Sequence, residues 1–255
     1  MKIIELKRLK SLLINKTKSA IIRLNKLLPE IWINRSKTSY SQCGEDLLIS
    51  FVLMQLKIDK VTYVDIGAHH PRFINNTFLF YKGGASGINI EPDPFLFKAF
   101  LKERPNDINL NIGINDKLSL SVQKDDFYIM SERTLNTFSE KEAREIEATS
   151  NYKIEEVTKI ESHDINSILE KYLNKKSLDL LSIDTEGLDF QILNALNFKK
   201  YAPKILCVET LTFSVSGKSI KRDDLINFVA SKGYFVYADT YINTIFVNKN
   251  IWLSR

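Results

Sequence analysis

The sequence predicts an α/β protein built on a mostly parallel, doubly wound sheet, and two observations carry that prediction. Val61, Tyr63, Val64 and Ile66 form a β-branched and apolar run with little polar alternation, as in strands buried on both faces, and the run ends in Asp65-Ile-Gly67. A second short strand, Gly87-Ile-Asn-Ile-Glu91, puts an acid 24 residues after Gly67, about where a nucleotide-binding half-fold places the carboxylate that receives ribose hydroxyls. Gly67 lets the backbone turn tightly and approach a ligand.

The elements follow in order. Leu47 to Leu53 is a helix capping one side of the nucleoside pocket, and a loop with Asn75, Asn76 and Thr77 follows the first strand. Pro92-Asp-Pro94 starts a helix, proline being tolerated in a first turn, with Phe95, Phe97, Phe100 and Leu101 as its apolar face. Residues 108–114 form a third strand and Asn115-Asp116-Lys117 a turn. Residues 118–165 make an insertion with an alternating stretch at 118–130, the polar run Thr134-Leu-Asn-Thr137 and a charged helix over 139–148; such insertions usually cover a substrate site. Strands four and five, residues 178–183 and 205–208, end at Asp184 and Glu209. A helix over 223–232 stops at Gly233, a C-terminal cap signal, and residues 234–238 and 244–247 make a closing strand pair.

Ribose is common to NAD and S-adenosylmethionine, and the phosphate separates them. A dinucleotide needs further glycines so that amides at a helix start can approach the pyrophosphate. Here Gly67 is followed by Ala68, His69, His70, Pro71 and Arg72, with no glycine until Gly83, which favours the cofactor without phosphate.

Five segments, Ser41-Gln-Cys-Gly-Glu-Asp46, Val64-Asp-Ile-Gly-Ala-His69, Gly87-Ile-Asn-Ile-Glu-Pro92, Leu181-Ser-Ile-Asp-Thr-Glu-Gly-Leu-Asp189 and Val208-Glu209, stand in the order seen in FkbM-type methyltransferases, which the chain resembles from Tyr40 to Val247. The resemblance implies a class I, Rossmann-like methyltransferase fold with a seven-stranded sheet. It also implies S-adenosylmethionine as cofactor and O-methylation of a sugar or related hydroxylated metabolite, in keeping with surface polysaccharide synthesis. The chain departs from the common methyltransferase pattern at His70-Pro71-Arg72, where another glycine often stands.

In a doubly wound sheet ligands lie outside the carboxyl ends of the strands, so Asp65, Glu91, Asp184 and Glu209 are expected to converge on one rim. Glu91 is assigned to the ribose, Asp65 and Gly67 to the methionine part, and Ala68, Pro92, Gln42 and Asn115 complete the cofactor set, with Asn115 near the adenine. Methyl transfer needs a positioned acceptor and a base for its proton. Asp184 and His69 are the candidate bases, His69 being one of only three histidines. Glu186, Glu209 and Asn76 are assigned to the acceptor. Asp184, Glu186 and Glu209 are also hard oxygen ligands of the kind Mg²⁺ accepts, so a divalent metal is an alternative, although a strand-to-helix turn that only positions ligands is favoured.

Ten Lys/Arg against two Glu in residues 1–38 leave the remainder with 26 Lys/Arg against 29 Asp/Glu. That basic segment, with Leu6, Leu9, Leu13, Ala20, Leu24, Leu27 and Ile31 at helical spacing, is expected to be an amphipathic helical extension ahead of a catalytic domain at 39–255. Residues 3–28 could pack on the domain, join two copies in a homo-oligomer or adsorb to an anionic membrane surface. Nucleic acid is disfavoured because stacking aromatics do not interleave the basic residues. Two cysteines, no apolar run of spanning length and no secretory leader pattern suit a reducing cytoplasm, with peripheral contact at the inner membrane surface as an option. Two rival functions share this pattern: a nicotinamide-dependent sugar oxidoreductase, and a non-catalytic membrane-surface adaptor using the basic helix.

Overall fold

A computed structural model describes residues 37–115, 123–173, 176–212 and 219–255. The chain divides into two units, Met1–Thr38 and Ser39–Arg255. The expected helix over residues 3–28, and the turn at Asp116 and Lys117, lie outside the described residues.

The second unit runs α1 (Glu45–Gln55), β1 (Tyr63–Ile66), α2 (Phe78–Lys82), β2 (Ile88–Ile90), α3 (Pro94–Glu103), β3 (Ile108–Leu110) and β4 (Gly113–Asn115). It continues with β5 (Gln123–Met130), α4 (Glu140–Thr149), β6 (Ile154–Asp164), α5 (Ile165–Tyr172), β7 (Leu180–Ile183) and α6 (Asp189–Ala195). The last elements are α7 (Phe198–Tyr201), β8 (Ile205–Glu209), α8 (Asp223–Ser231), β9 (Tyr234–Asp239), β10 (Asn243–Asn248) and α9 (Lys249–Leu253).

Seven strands form one sheet in the order β3-β2-β1-β7-β8-β10-β9. The first five are mutually parallel, β10 runs antiparallel to β8, and β9 pairs antiparallel to β10. Strand periodicity splits the core in two. Val64, Ile66, Leu181, Ile183, Leu206 and Val208 enter one apolar layer, while Tyr63, Leu180, Ile205 and Cys207 enter the other. Full burial of side chains of this size stabilises by about 1.5–3 kcal/mol each, which is why these segments hold the centre of the sheet.

Two expectations are corrected. Residues 108–114 are not one strand: the chain bends after Leu110, β3 stays in the main sheet, and β4 joins β6 and β5 in a second, three-stranded sheet. The bend is held by Asn111, whose Nδ2 donates to the carbonyls of Glu91 at 2.9 Å and Pro92 at 2.8 Å. The buried face of α3 is Leu96 and Phe100, an i,i+4 pair, whereas Phe95 is 66% and Leu101 53% exposed. Phe95 instead carries the Arg133 guanidinium over its ring, 5.0 Å from the centroid. Helix α1 extends beyond its expected limits at both ends, and α4 covers nearly the expected span.

Candidate active site

The carboxyl ends of β1, β2, β7 and β8 open into a cavity of about 510 Å³, a size typical of small-molecule sites. Gly67 brings its walls together: at φ +72° a side chain is strained, and a Cβ there would lie 1.7 Å from the Asp184 carbonyl oxygen. Three non-glycine residues lining the cavity, His69, Ile74 and Glu186, also have left-handed backbone, at φ 52°, 50° and 48°. Such conformations persist only where their surroundings fix them, and they concentrate at ligand sites.

Glu91 directly follows β2 and is 5% exposed. Its Oε2 accepts the His69 backbone N–H at 2.7 Å and its Oε1 accepts that of Asp93 at 2.7 Å, which orients the carboxylate at the cavity wall. Burial pushes its pKa up to about 8. Asp65 also lines the cavity, but its Oδ2 is occupied: it accepts from Thr77 Oγ1 at 2.8 Å and Asn75 Nδ2 at 3.3 Å. The loop after β1 is fixed from behind by Arg104, which is wholly buried. Its Nε pairs with Asp107 at 2.8 Å, and its terminal nitrogens donate to the Pro71 carbonyl, Asn75, Tyr63, Thr77 and Asn89.

Asp184 and Glu186 follow β7 and Glu209 ends β8; carboxylate oxygens of the three lie within 4.8 Å of one another. Burial and then the neighbouring Asp189 and Asp65 raise Asp184 to about 7, and burial with adjacent carboxylates holds Glu186 and Glu209 well above the usual range. Asp189 shapes this turn: its Oδ1 accepts from Thr185 N at 3.0 Å and its Oδ2 from Gly187 N at 3.4 Å. Oxygen atoms so grouped suit a hard divalent cation as well as a hydroxylated ligand. His69 lines the same cavity, and burial, followed by the adjacent His70, lowers its pKa, favouring the neutral imidazole.

The insertion supplies another wall through Phe127, Arg133, Leu135, Asn136 and Phe138. Arg133 forms an ion pair with Asp93, and Asn136 Nδ2 donates to the same carboxylate at 3.0 Å. Asp93 also caps α3, accepting from Phe95 N at 2.7 Å. Of the residues named from sequence, Gln42, Ala68, Asn76 and Pro92 line the cavity with those above. Asn115 does not. It ends β4, whose Gly113 and Ile114 do line the cavity, and itself lines a separate pocket of about 340 Å³ with Asp126, Tyr128 and Gln191. Arg133, Asp93 and Arg104 were not foreseen; the polar run after Glu132 was the visible sign of the first.

A sheet in this order, with its penultimate strand reversed and an acid closing β2 at the cavity, defines the class I methyltransferase type of α/β fold. The profile of the Methyltransferase FkbM domain matches residues 65–236, and the chain belongs to that methyltransferase family. Membership sets aside the nicotinamide-dependent alternative. Among solved structures, the chain is similar to methyltransferase FkbM from Methylobacillus flagellatus, at 13% identity and TM-score 0.42 over 74% of this chain. It spans only 44% of that protein. It is also similar to a TehB-like SAM-dependent methyltransferase from Corynebacterium glutamicum, at 11% identity and TM-score 0.44, over 92% of this chain and 99% of the other. No curated protein sequence matches the chain. No helix among the described residues is long and apolar enough to cross a membrane.

Proposed function

We propose that the cavity binds S-adenosylmethionine and that the enzyme O-methylates a sugar or saccharide-like metabolite, in surface polysaccharide or glycan synthesis. The observation that carries this reading is the buried Glu91 carboxylate, held by two backbone amides at the cavity wall beside a loop with no phosphate cradle. The donor set fits: Glu91 receives the two ribose hydroxyls, Asp65 and Gly67 lie toward the amino-acid part, and Ala68, Pro92 and Gln42 complete the wall. When bound, the cofactor supplies a methyl group on a sulfonium, which leaves as a neutral thioether.

The protein's own work is then to place the acceptor and take its proton. Glu186, Glu209 and Asn76 hold neighbouring hydroxyls, and the Asp184 carboxylate, with a pKa near neutrality, takes the proton of the reacting one. His69, neutral and on the other wall, is the alternative base. The grouping of Asp184, Glu186 and Glu209 favours one second reading, in which these three hold a divalent cation that acidifies a diol; loss of transfer on chelation and its return with Mg²⁺ distinguish it. Residues 39–255 constitute the catalytic domain, and the basic segment before it contacts a membrane surface or a second copy.

Calorimetry with S-adenosylmethionine tests the cofactor. Glu91→Ala removes the two hydrogen bonds to the ribose hydroxyls, each worth about 0.5–1.5 kcal/mol, so affinity falls about 10-fold or more; unchanged affinity refutes the assignment. Incubating saccharides with methyl-labelled cofactor, followed by mass spectrometry, tests the acceptor, and label found only on nitrogen or on no saccharide refutes the O-methylation reading.

A further inference from the structure

Two neighbouring residues of the insertion fasten both sides of the cavity. Asn136 donates Nδ2 to Asp93 on the loop after β2, at 3.0 Å, and its Oδ1 accepts the Met130 N–H at 2.8 Å. Thr137 donates its hydroxyl to the Glu186 carbonyl on the loop after β7, at 2.8 Å, while the same oxygen accepts the Ser139 N–H at 3.0 Å. The Thr137 backbone exchanges both hydrogen bonds with Tyr128 of β5, at 2.9 and 3.2 Å, so the hydroxyl is presented from backbone tied to that strand. Since β1 lies between β2 and β7, the loops joined by this residue pair leave strands about 10 Å apart.

What Thr137 grips is a strained residue. Glu186 sits at φ 48°, a conformation that persists only when neighbouring groups impose it. Thr137 is 1% exposed, so its hydroxyl is largely shielded from solvent. Asp189 holds the flanking Thr185 and Gly187 amides, and Thr137 holds the Glu186 carbonyl between them.

We propose that Thr137 is a positioning residue: it locks the Glu186 turn so that the Glu186 carboxylate faces the acceptor, and with Asn136 it couples filling of the cofactor side to ordering of that turn. This rests on the reading that the cofactor lies beside Glu91. The chain of contacts is continuous, from Glu91 through the Asp93 amide, the Asp93 carboxylate, Asn136 and Thr137 to Glu186.

Hydrogen–deuterium exchange of the full chain, with and without S-adenosylhomocysteine, tests it without an acceptor. In the wild type the ligand slows exchange by about fivefold or more, both in residues 131–138 and in residues 184–189. Thr137→Val is nearly isosteric and keeps the slowing in 131–138 but loses it in 184–189; Thr137→Ser restores it. Asn136→Ala, which opens the other end, loses the slowing in 184–189 as well and decides the matter if the valine variant melts early. Equal slowing of 184–189 in the valine variant and the wild type overturns the proposal, as does a wild type that binds the ligand yet leaves 184–189 unchanged. A wild type that does not bind S-adenosylhomocysteine refutes the cofactor reading itself and this inference with it.

Discussion

Raising the pH from 6 to 8 should destabilise the ligand-free protein, a direction opposite to ordinary acid denaturation. Burial pushes Glu91 up to about 8 and, with the Asp189 charge, Asp184 up to about 7. The same groups in an unfolded chain titrate near 4.3 and 3.9. Because the folded values lie above the unfolded ones, the native state keeps protons in this window that the unfolded chain has already released. Stability is therefore present on the acid side and is lost as pH rises through the folded values. Integrating the difference in bound protons gives a loss of about 2 kcal/mol for Glu91 and about 1 kcal/mol for Asp184. Glu186 and Glu209, also held well above the usual range, add to the loss. His69, whose pKa is lowered, acts the other way, but its unfolded value near 6.5 limits the offset to about 1 kcal/mol. The net loss is therefore at least about 2 kcal/mol. Urea unfolding at the two pH values measures it: with a slope of about 2–3 kcal/mol/M the midpoint falls by at least about 0.7–1 M. Glu91→Gln removes the Glu91 share, so its midpoint falls by less. A wild-type midpoint that is constant or higher at pH 8 refutes the reasoning, since it would mean that these carboxyls are already ionised in the folded protein.

Three substitutions probe the scaffold and the chemistry. Arg104→Met leaves Asp107 buried without its ion-pair partner and should cost about 3–5 kcal/mol, measured as a shift in urea midpoint; a change below about 1 kcal/mol would show that the network holds nothing together. Gly67→Ala places a Cβ 1.7 Å from the Asp184 carbonyl, so the β1 and β7 ends must part and cofactor affinity is lost in calorimetry, with a lowered melting temperature. Asp184→Asn removes the base and should lower labelled methyl transfer by about 10²–10⁴-fold while cofactor affinity is kept; an equal loss in His69→Gln with an active Asp184→Asn would move the base to the other wall.

The parts of this site legible in the sequence are those fixed by a single strand and its end. Asp65, Glu91, Asp184 and Glu209 each close a short apolar run, and a parallel sheet brings such ends to one rim whatever the distance between them in the chain. Asn115 lies outside the cavity although its neighbours Gly113 and Ile114 line it, because its place depends on how β4 pairs with β6, much later in the chain. The bend before β4 is held by Asn111, whose partners are the carbonyls of Glu91 and Pro92, some twenty residues away. Arg104 shows the limit more sharply. Beside Lys102 and Glu103 at a helix end it looks like a solvated charge, yet it is wholly buried, because Tyr63, Asn75, Thr77, Asn89 and Asp107 each supply an oxygen to it. No periodicity encodes such convergence; a buried guanidinium is tolerated only when the whole set of partners is present at once.

The same logic makes the insertion more than a cover. Asp93 follows the ribose acid by two residues, and its carboxylate takes the α3 amide, the Arg133 guanidinium and the Asn136 amide together. Losing any one would leave a buried acid short of a partner, so the wall over the cavity and the helix behind Glu91 are held by one charge. The sequence displays the acid and the arginine forty residues apart; only the fold makes them a single device.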